Sequence, residues 1–531
     1  MQQKASKTFT YQTRPKVDDK LDKILTGNAH LLSKVERHLF KDHYQNKKNI
    51  NELKSLYLKR FGITARQFNS CRIKLEGKIR SYKELLNERI PLLESKIKKL
   101  KMHIKKLKDP FKCHQKKRRL FLLEKKLEKL KNDKAENKIR LCFGSKKLFR
   151  QQFHLEENDF SSHEKWQKVW KDKRNDSFFL IGSKDETAGN QTCQLIRKGT
   201  AFSLCIRLPD TFSEKNIIIE NITFAYGQEE IINAIEENEM RKKLRLAKKP
   251  YSHLGKAINY LFKKDKKSWR IFISIEKEKP ALISKKNIGM IGLDINANHL
   301  ALVETDRFGN IVDKKTILCS TYGKDKNQSS AIIGNAAKEI IKKATQSEKP
   351  LVLENLKFEK KKQHLREENK KYSRMLSSFS YNQIISSIET KAFKEGIEVY
   401  KVNPAYTSII GRIKFANKYG LSIHHSAAFV IARRPHCYSE KLPRYLEITD
   451  IKSSKSAFFL PARNRKKHVW SLYSEFNKMM KAANVLHLST NIRSSRPLKL
   501  LCDNQSIIYW GSSGTLIVNK TARLTGQNKS I

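Results

Sequence analysis

Two carboxylates stand where apolar strands should carry none. In NIGMIGLDINANHLALVE, Ile288, Met290, Ile291 and Leu293 lead into Asp294, and Leu300, Leu302 and Val303 resume the apolar pattern after it. About sixty residues further on, in KPLVLENLKFEKKK, Glu354 closes the short apolar run Leu351–Leu353. A carboxylate in such a run is costly to desolvate unless something cationic compensates it. Two acids that converge from one α/β unit can share a divalent cation, and hard oxygen donors suit Mg²⁺ or Mn²⁺. Two such ions could clamp the attacking and leaving oxygens of a phosphodiester. Either acid alone would more often be a satisfied structural residue.

The elements around the pair read as strands alternating with helices. Ile288–Val312 is expected to be strand, turn, strand. Ala331–Thr345 follows as a helix, then Pro350–Leu353 as a strand, Ser380–Lys394 as a helix, Glu398–Val402 as a strand and Ser426–Arg434 as a helix. Such alternation argues an α/β sheet.

Upstream the pattern differs. After a short strand at Thr8–Thr13, residues 18–140 read as helical and basic. Ile90, Leu93, Ile97, Leu100, Ile104 and Leu107 keep a three-four alternation, KDPFK breaks it, and Leu120, Leu123, Leu127 and Leu130 resume it. Two heptad-patterned helices about a proline turn predict an antiparallel hairpin. Its outer faces carry Lys116, Lys117, Arg118 and Arg119, which suit a nucleic-acid partner. From 140 to 287 the pattern turns to β, with strands expected at Ser177–Gly182, Phe202–Leu208, Asn216–Tyr226 and Trp269–Ile275. RLCFGSKKLFRQQF, Arg140–Phe153, interleaves aromatics with Lys146, Lys147 and Arg150. Bases could stack there while the cations hold phosphates, although core packing explains Phe143 and Phe149 equally well.

Charge selects the partner. The 531 residues hold 110 Lys+Arg against 53 Asp+Glu, a net charge of +57 spread through most of the chain. A polyanion must neutralise it, and a long or folded nucleic acid is the expected one. The eight cysteines are scattered without a Cys-x-x-Cys pair, so neither a zinc ribbon nor a disulfide framework is readable. No signal core or membrane-length apolar run is visible, and a cytoplasmic, nucleoid-associated protein of a bacterium is expected, with no membrane partner.

Three segments, IGLDINANHLALVE, LVLENL and VNPAYTSIIG with YGLSIHHSAAFVIARR, resemble the three RuvC segments of the TnpB family. These are transposon-encoded proteins long described as OrfB-type transposases and related to type V CRISPR effectors. GITARQFNS, HQKKRRLFLLEKKLEKLK, RLCFGSKKLFRQQF and GSKDETAGNQTCQ are TnpB-like as well, and RNRKKHVWS adds a match near the C-terminus. The resemblance implies an α+β multidomain chain. A strand of the wedge domain occupies 1–17, a basic helical lobe with the hairpin 18–140, and a wedge, an oligonucleotide-binding-like β-barrel, 141–287. An RNase H-like RuvC nuclease domain occupies 288–435 and a C-terminal extension 436–531. It implies an RNA-guided, metal-dependent DNA endonuclease. The guide RNA would come from the transposon end, double-stranded DNA would be the target, and the particle would be a monomeric ribonucleoprotein.

Carried over by position, Asp294 matches the first RuvC carboxylate and Glu354 the second. The third aspartate is missing. Ala427–Ala428 and Ile431–Ala432–Arg433 match the final helix, but the aspartate position falls on His424, with His425 beside it. The expected metal set is therefore Asp294, Glu354 and His424 or His425, with preference shifted from Mg²⁺ toward Mn²⁺. Asp450 and Asp503 are weaker stand-ins. The four-cysteine finger of many relatives is also absent, which would leave DNA loading to bases such as Arg412 and Lys414. The loop after Glu354 (357–379) is expected to act as a lid. The alternative reading is a nuclease-dead, RNA-guided DNA-binding repressor, kept open by His424. A strand-transferring transposase ranks below both, since none of the seventeen tyrosines has a recognisable nucleophile setting.

Overall fold

The computed structural model describes residues 6–186, 188–252, 254–355, 380–416, 418–438, 445–449, 455–459, 469–482, 507–510 and 516–519. The chain divides into two units, Met1–Glu278 and Lys279–Ile531.

The first unit begins with β1 (Ser6–Thr13), then α1 (Asp19–Leu39), α2 (Ile50–Phe61), α3 (Ala65–Lys106), α4 (Pro110–Ala135), α5 (Lys146–Gln151) and α6 (His163–Arg174). After them come β2 (Ser177–Leu180), β3 (Cys193–Lys198), β4 (Ala201–Arg207), β5 (Asn216–Ile222), α7 (Gln228–Leu246), β6 (Ile258–Lys264) and β7 (Trp269–Glu278). The strands form a four-stranded sheet, β1-β7-β6-β2, and a three-stranded sheet, β3-β4-β5. The stretch expected to be β therefore also holds helices. In α7, Glu229 and Glu230 open the first turn and Lys243 and Arg245 close the last, which suits the helix dipole.

The hairpin is α3 against α4, antiparallel, since Lys131 pairs with Glu94 and Lys101 with Glu124. Ile90, Leu93, Ile97 and Leu100 of α3 are buried in its seam, while Leu120, Leu123, Leu127 and Leu130 are half-buried. α3 is one helix of 42 residues that runs through Pro91. Its start is fixed by a capping box, Thr64 with Gln67, which satisfies two of the free N-terminal backbone groups.

The second unit contains β8 (Ile291–Ile295), β9 (His299–Thr305), β10 (Ile311–Leu318), α8 (Lys326–Ser347), β11 (Leu351–Glu354), α9 (Tyr381–Lys394), β12 (Val399–Val402), α10 (Thr407–Gly411) and α11 (Ile423–Arg433). β13 (Tyr445–Thr449), β14 (Lys455–Phe459), α12 (Val469–Ala482), β15 (Ile507–Trp510) and β16 (Leu516–Asn519) follow, the four strands forming a separate sheet. The main sheet is ordered β10-β9-β8-β11-β12. β8, β9 and β10 are antiparallel neighbours, and β11 is parallel to both β8 and β12. This is the strand order of an RNase H-like fold. The expected strand–turn–strand is thus a three-stranded meander. β10 escapes the apolar reading because it is an edge strand whose charged residues pair with neighbouring elements: Asp313 and Lys315 with Lys343 and Glu339 of α8, and Lys314 with the Gly420 carbonyl.

Period-two alternation gives the sheet two faces. Ile291, Leu293, Leu351 and Leu353 pack under α8 and α9 with Ile333, Ala337, Ile340, Ile384 and Ile388. On the other face Met290 and Val352 meet Ile431 of α11, while Ala301 and Val303 meet Ala428 and Phe429. Gly292 lies on this second face. A Cβ there would come within 2.1 Å of the Ala428 carbonyl and 2.6 Å of the Ala432 amide, so only glycine lets α11 pack this close.

Candidate active site

The register of β8 and β11 brings the two acids together. Leu351, Val352 and Leu353 pair with Ile291, Gly292 and Leu293, and the next step places Glu354 beside Asp294. Neighbouring strands lie about 4.8 Å apart, and in-register residues point to the same face. That face is the one covered by α11. Gly292, two residues before Asp294, touches α11 at Ala428 and Ala432, and His424 lies one turn earlier on the same side of the helix.

His424 meets Asp294. Its Nδ1 lies 3.1 Å from Asp294 Oδ2, and Asn296 Nδ2 donates to the same oxygen at 3.0 Å. The Asp294 side chain is 13% exposed and that of His424 46%. The hydrogen bond to Asp294 raises the His424 pKa above its ordinary value, against the opposing effect of burial. The pair thus favours the protonated ring, the form in which His424 supplies the positive charge that the sequence demanded at Asp294. The N-terminal end of α11 adds to it, because its free N–H groups carry partial positive charge. Ser422 caps that end by accepting from the His425 amide.

Glu354 is held by α10: Thr407 Oγ1 donates to its Oε1 at 2.5 Å. Tyr381 at the start of α9 donates its hydroxyl to the Glu354 carbonyl at 2.9 Å. These contacts fix the end of β11 and aim the carboxylate.

His425 does not join the cluster. Ser422 Oγ lies 2.8 Å from its Nδ1 and Thr316 Oγ1 3.2 Å from its Nε2, so both ring nitrogens face hydroxyls. The vicinal pair divides because consecutive helical residues are about 100° apart. Of the two expected histidine ligands, only His424 faces Asp294. A third histidine, His299, was invisible as a site residue in the sequence. Its ring centroid lies 4.8 Å from that of His424, edge to face, and burial followed by the neighbouring His424 lowers its pKa. The only signal was its place at the start of β9, directly after the Asp294 turn.

Among the described residues, no three or more His, Cys, Asp or Glu are grouped closely enough to hold a metal ion as the side chains lie. The donor chemistry nonetheless fits a divalent cation. Two carboxylates share one face at adjacent strand ends, and an imidazole lies within hydrogen-bond reach of one of them. Nitrogen in the set suits Mn²⁺ better than Mg²⁺.

The other expected contacts are spread over both units. Lys117, Arg118 and Arg119 are exposed on α4, whereas Lys116 is half-buried. Lys146, Lys147 and Arg150 are exposed and line a cleft of about 340 Å³ with Gln151, His154, Glu157 and Asn158. Phe143 packs on Phe40 under the Lys78 ammonium, and Phe149 packs on Trp170, so both rings have protein partners. Arg412 is half-buried and burial lowers its pKa, which is not the setting of a free surface cation. Lys414 lies over the Phe415 ring. Asp450, Asp503 and the loop 357–379 lie outside the described residues.

No family model and no curated protein matches the chain. Solved structures do. It is similar to T. thermophilus RuvC in complex with a Holliday junction substrate, at 14% identity over 27% of this chain and 90% of that one, TM-score 0.21. It is similar to Cas12f1 in a complex with sgRNA and target DNA, at 12% identity over 81% of this chain and 100% of that one, TM-score 0.22. It is similar to Cas12i in a complex with crRNA and double-stranded DNA, at 11% identity over 76% of this chain and 65% of that one, TM-score 0.26. The structural neighbours are thus RuvC and Cas12 proteins. At these identities and scores the likeness carries no functional weight, which rests on the site's own geometry.

Proposed function

We propose that this chain is an RNA-guided, divalent-metal-dependent DNA endonuclease of the TnpB type, encoded by a transposon and acting as a monomeric ribonucleoprotein. One observation carries the reading: Asp294 and Glu354 end adjacent parallel strands on one face, with His424 of α11 within reach. Two neighbouring carboxylates repel unless a cation lies between or beside them. The net charge of +57 supports a nucleic-acid partner independently.

Asp294, Glu354 and His424 are the residues that would hold Mg²⁺ or Mn²⁺. When bound, such an ion polarises the phosphodiester and lowers the pKa of water. The chain's other residues orient these donors: Asn296 fixes Asp294 and Thr407 fixes Glu354. Sequence choice would be delegated to base pairing between guide and target.

The test is guided cleavage by the purified ribonucleoprotein in Mg²⁺ and in Mn²⁺. Asp294→Ala and Glu354→Ala should each abolish cleavage and leave RNA and target binding intact, since those rest on cations and base pairing. The second reading, a nuclease-dead RNA-guided repressor, is favoured by the His424–Asp294 pair, which satisfies Asp294 without any metal. A wild-type protein that binds its guided target yet cleaves in neither ion would establish that reading instead.

A further inference from the structure

α4 has two unlike faces. Leu120, Leu123, Leu127 and Leu130 turn toward α3. The opposite face carries Phe111, His114, Arg118, Phe121, Leu122 and Lys125, at i, i+3, i+7, i+10, i+11 and i+14, the spacing of one continuous helical stripe. All six are exposed, Phe111 by 71%, Phe121 by 62% and Leu122 by 59%. Apolar side chains this open along one stripe mark an interaction surface.

The charge on the stripe selects the occupant. None of the six is acidic. Glu124 is engaged across the hairpin by Lys101 and Asp133 by Arg140, and Glu128, one heptad beyond Phe121, marks the end of the stripe. Rings alternating with cations match a strand whose bases stack on aromatic faces while its phosphates meet Lys and Arg. A duplex keeps its base faces stacked on one another and would leave Phe111 and Phe121 in water. A second copy of this chain fits poorly, because a two-fold contact through this face would bring Arg118 and Lys125 against like charges.

We infer that the outer face of α4 holds an unpaired segment of the protein's resident RNA, with Phe111 and Phe121 as base-stacking platforms and Arg118 and Lys125 on the flanking phosphates. Rings this exposed require a lasting cover, which a resident RNA provides and a transiently opened DNA strand does not. The inference rests on the proposed function only in taking the resident polyanion to be RNA.

The test uses the full chain, stripped of nucleic acid at high salt. Its probes are a short oligoadenylate RNA carrying one 2-aminopurine, the same sequence as an RNA duplex, and the matching oligodeoxyadenylate. Phe111→Ala with Phe121→Ala should weaken the single-stranded RNA at least about tenfold and relieve 2-aminopurine quenching. Duplex affinity should stay within about twofold, and Phe121→Trp alone should keep wild-type affinity and quenching. Arg118→Ala with Lys125→Ala should reduce the slope of log affinity against log salt by roughly 1.4. Equal losses on duplex and single strand, or no loss, would overturn the inference. A loss confined to the DNA strand would overturn the assignment to RNA. A dimer that the double phenylalanine variant splits without any change in RNA affinity would show a contact between copies instead. Failure of the nuclease reading appears separately, as a wild type that does not cleave a guided target whatever the stacking result.

Discussion

His424 Nδ1 lies 3.1 Å from Asp294 Oδ2, so the carboxylate at the head of the site is matched by an imidazole at the start of α11. The hydrogen bond raises the His424 pKa and thereby favours the protonated ring as Asp294's counter-charge. A bound metal would compete with that proton, since an imidazole ligates only when neutral. His424→Asp exchanges the counter-charge for a third carboxylate. Without metal this variant should melt below wild type, because three acids would crowd one face. Mg²⁺ should raise its melting temperature more than it raises that of wild type, since binding to the folded state alone stabilises that state. Cleavage in Mg²⁺ should rise with it, whereas His424→Ala should lower cleavage in Mn²⁺ roughly tenfold or more. Differential scanning calorimetry with and without each ion, beside the cleavage assay, decides it. If both variants behave as wild type in both measurements, His424 is no part of the metal set.

The position of α11 over the acids depends on Gly292. Its absent Cβ leaves room for the Ala428 carbonyl at 2.1 Å and the Ala432 amide at 2.6 Å, both backbone atoms that no rotamer change can move. Gly292→Ala should therefore displace the helix, at a stability cost of about 1–3 kcal/mol. A shift near 1 Å at His424 should lower cleavage by roughly 100-fold. Urea titration and cleavage rates on the same preparation test this. A variant as stable and as active as wild type would mean that the helix yields without consequence.

What the sequence disclosed follows from where its signals are strong. Asp294 and Glu354 were legible because each interrupts an apolar run, and interruption is a local property. That the two acids converge was expected from the order of strands and helices and from the resemblance, but the register that does it, Leu353 opposite Leu293 in the parallel pair β8 and β11, could not be read from local pattern. The division of His424 from His425 needed the true start of α11. The apolar pattern suggested Ser426, but Ser422 caps the helix and puts both histidines in its first turn. His299 gave no signal beyond its place directly after the Asp294 turn, and it is the β8–β9 turn that brings its ring to His424. In the first unit, α7 was hidden between the β-branched strand β5 and the aromatic-bearing strand β6, although its end charges mark a helix.

The hairpin seam makes a sharper claim on stability. Leu100 is buried between α3 and α4, and its neighbours in the seam are Leu and Ile. Leu100→Asp places an unpaired carboxylate there, which should unfold the hairpin or shift the charge onto a proton. Far-ultraviolet circular dichroism should lose helix, and RNA affinity should fall because the basic faces of α3 and α4 lose their frame. The β8–β12 sheet should survive limited proteolysis. An unaltered melt would exclude the seam as a stabilising element.

Glu304 on β9 makes the stability of the second unit depend on pH. Its carboxylate is buried and lies 2.7 Å from Lys349 Nζ and 2.9 Å from Lys343 Nζ, and Lys343 also reaches Asp313 at 2.9 Å. Burial would push the Glu304 pKa up, but the hydrogen bonds and charges of the two lysines outweigh it and hold the pKa below the ordinary glutamate value. The folded state therefore binds the proton more weakly than the unfolded chain, whose glutamates titrate near about 4.3. The stabilisation is complete above that pH and is lost as pH falls through the lower folded value. Glu304→Gln removes this dependence and leaves Lys349, itself buried, without its counter-charge. Breaking such a pair should cost about 3 kcal/mol at pH 7. Urea unfolding at pH 7 and at pH 3.5 tests both parts. The gap between wild type and variant should be widest at pH 7 and narrow on acidification, and a gap that stays constant with pH would assign the loss to packing alone.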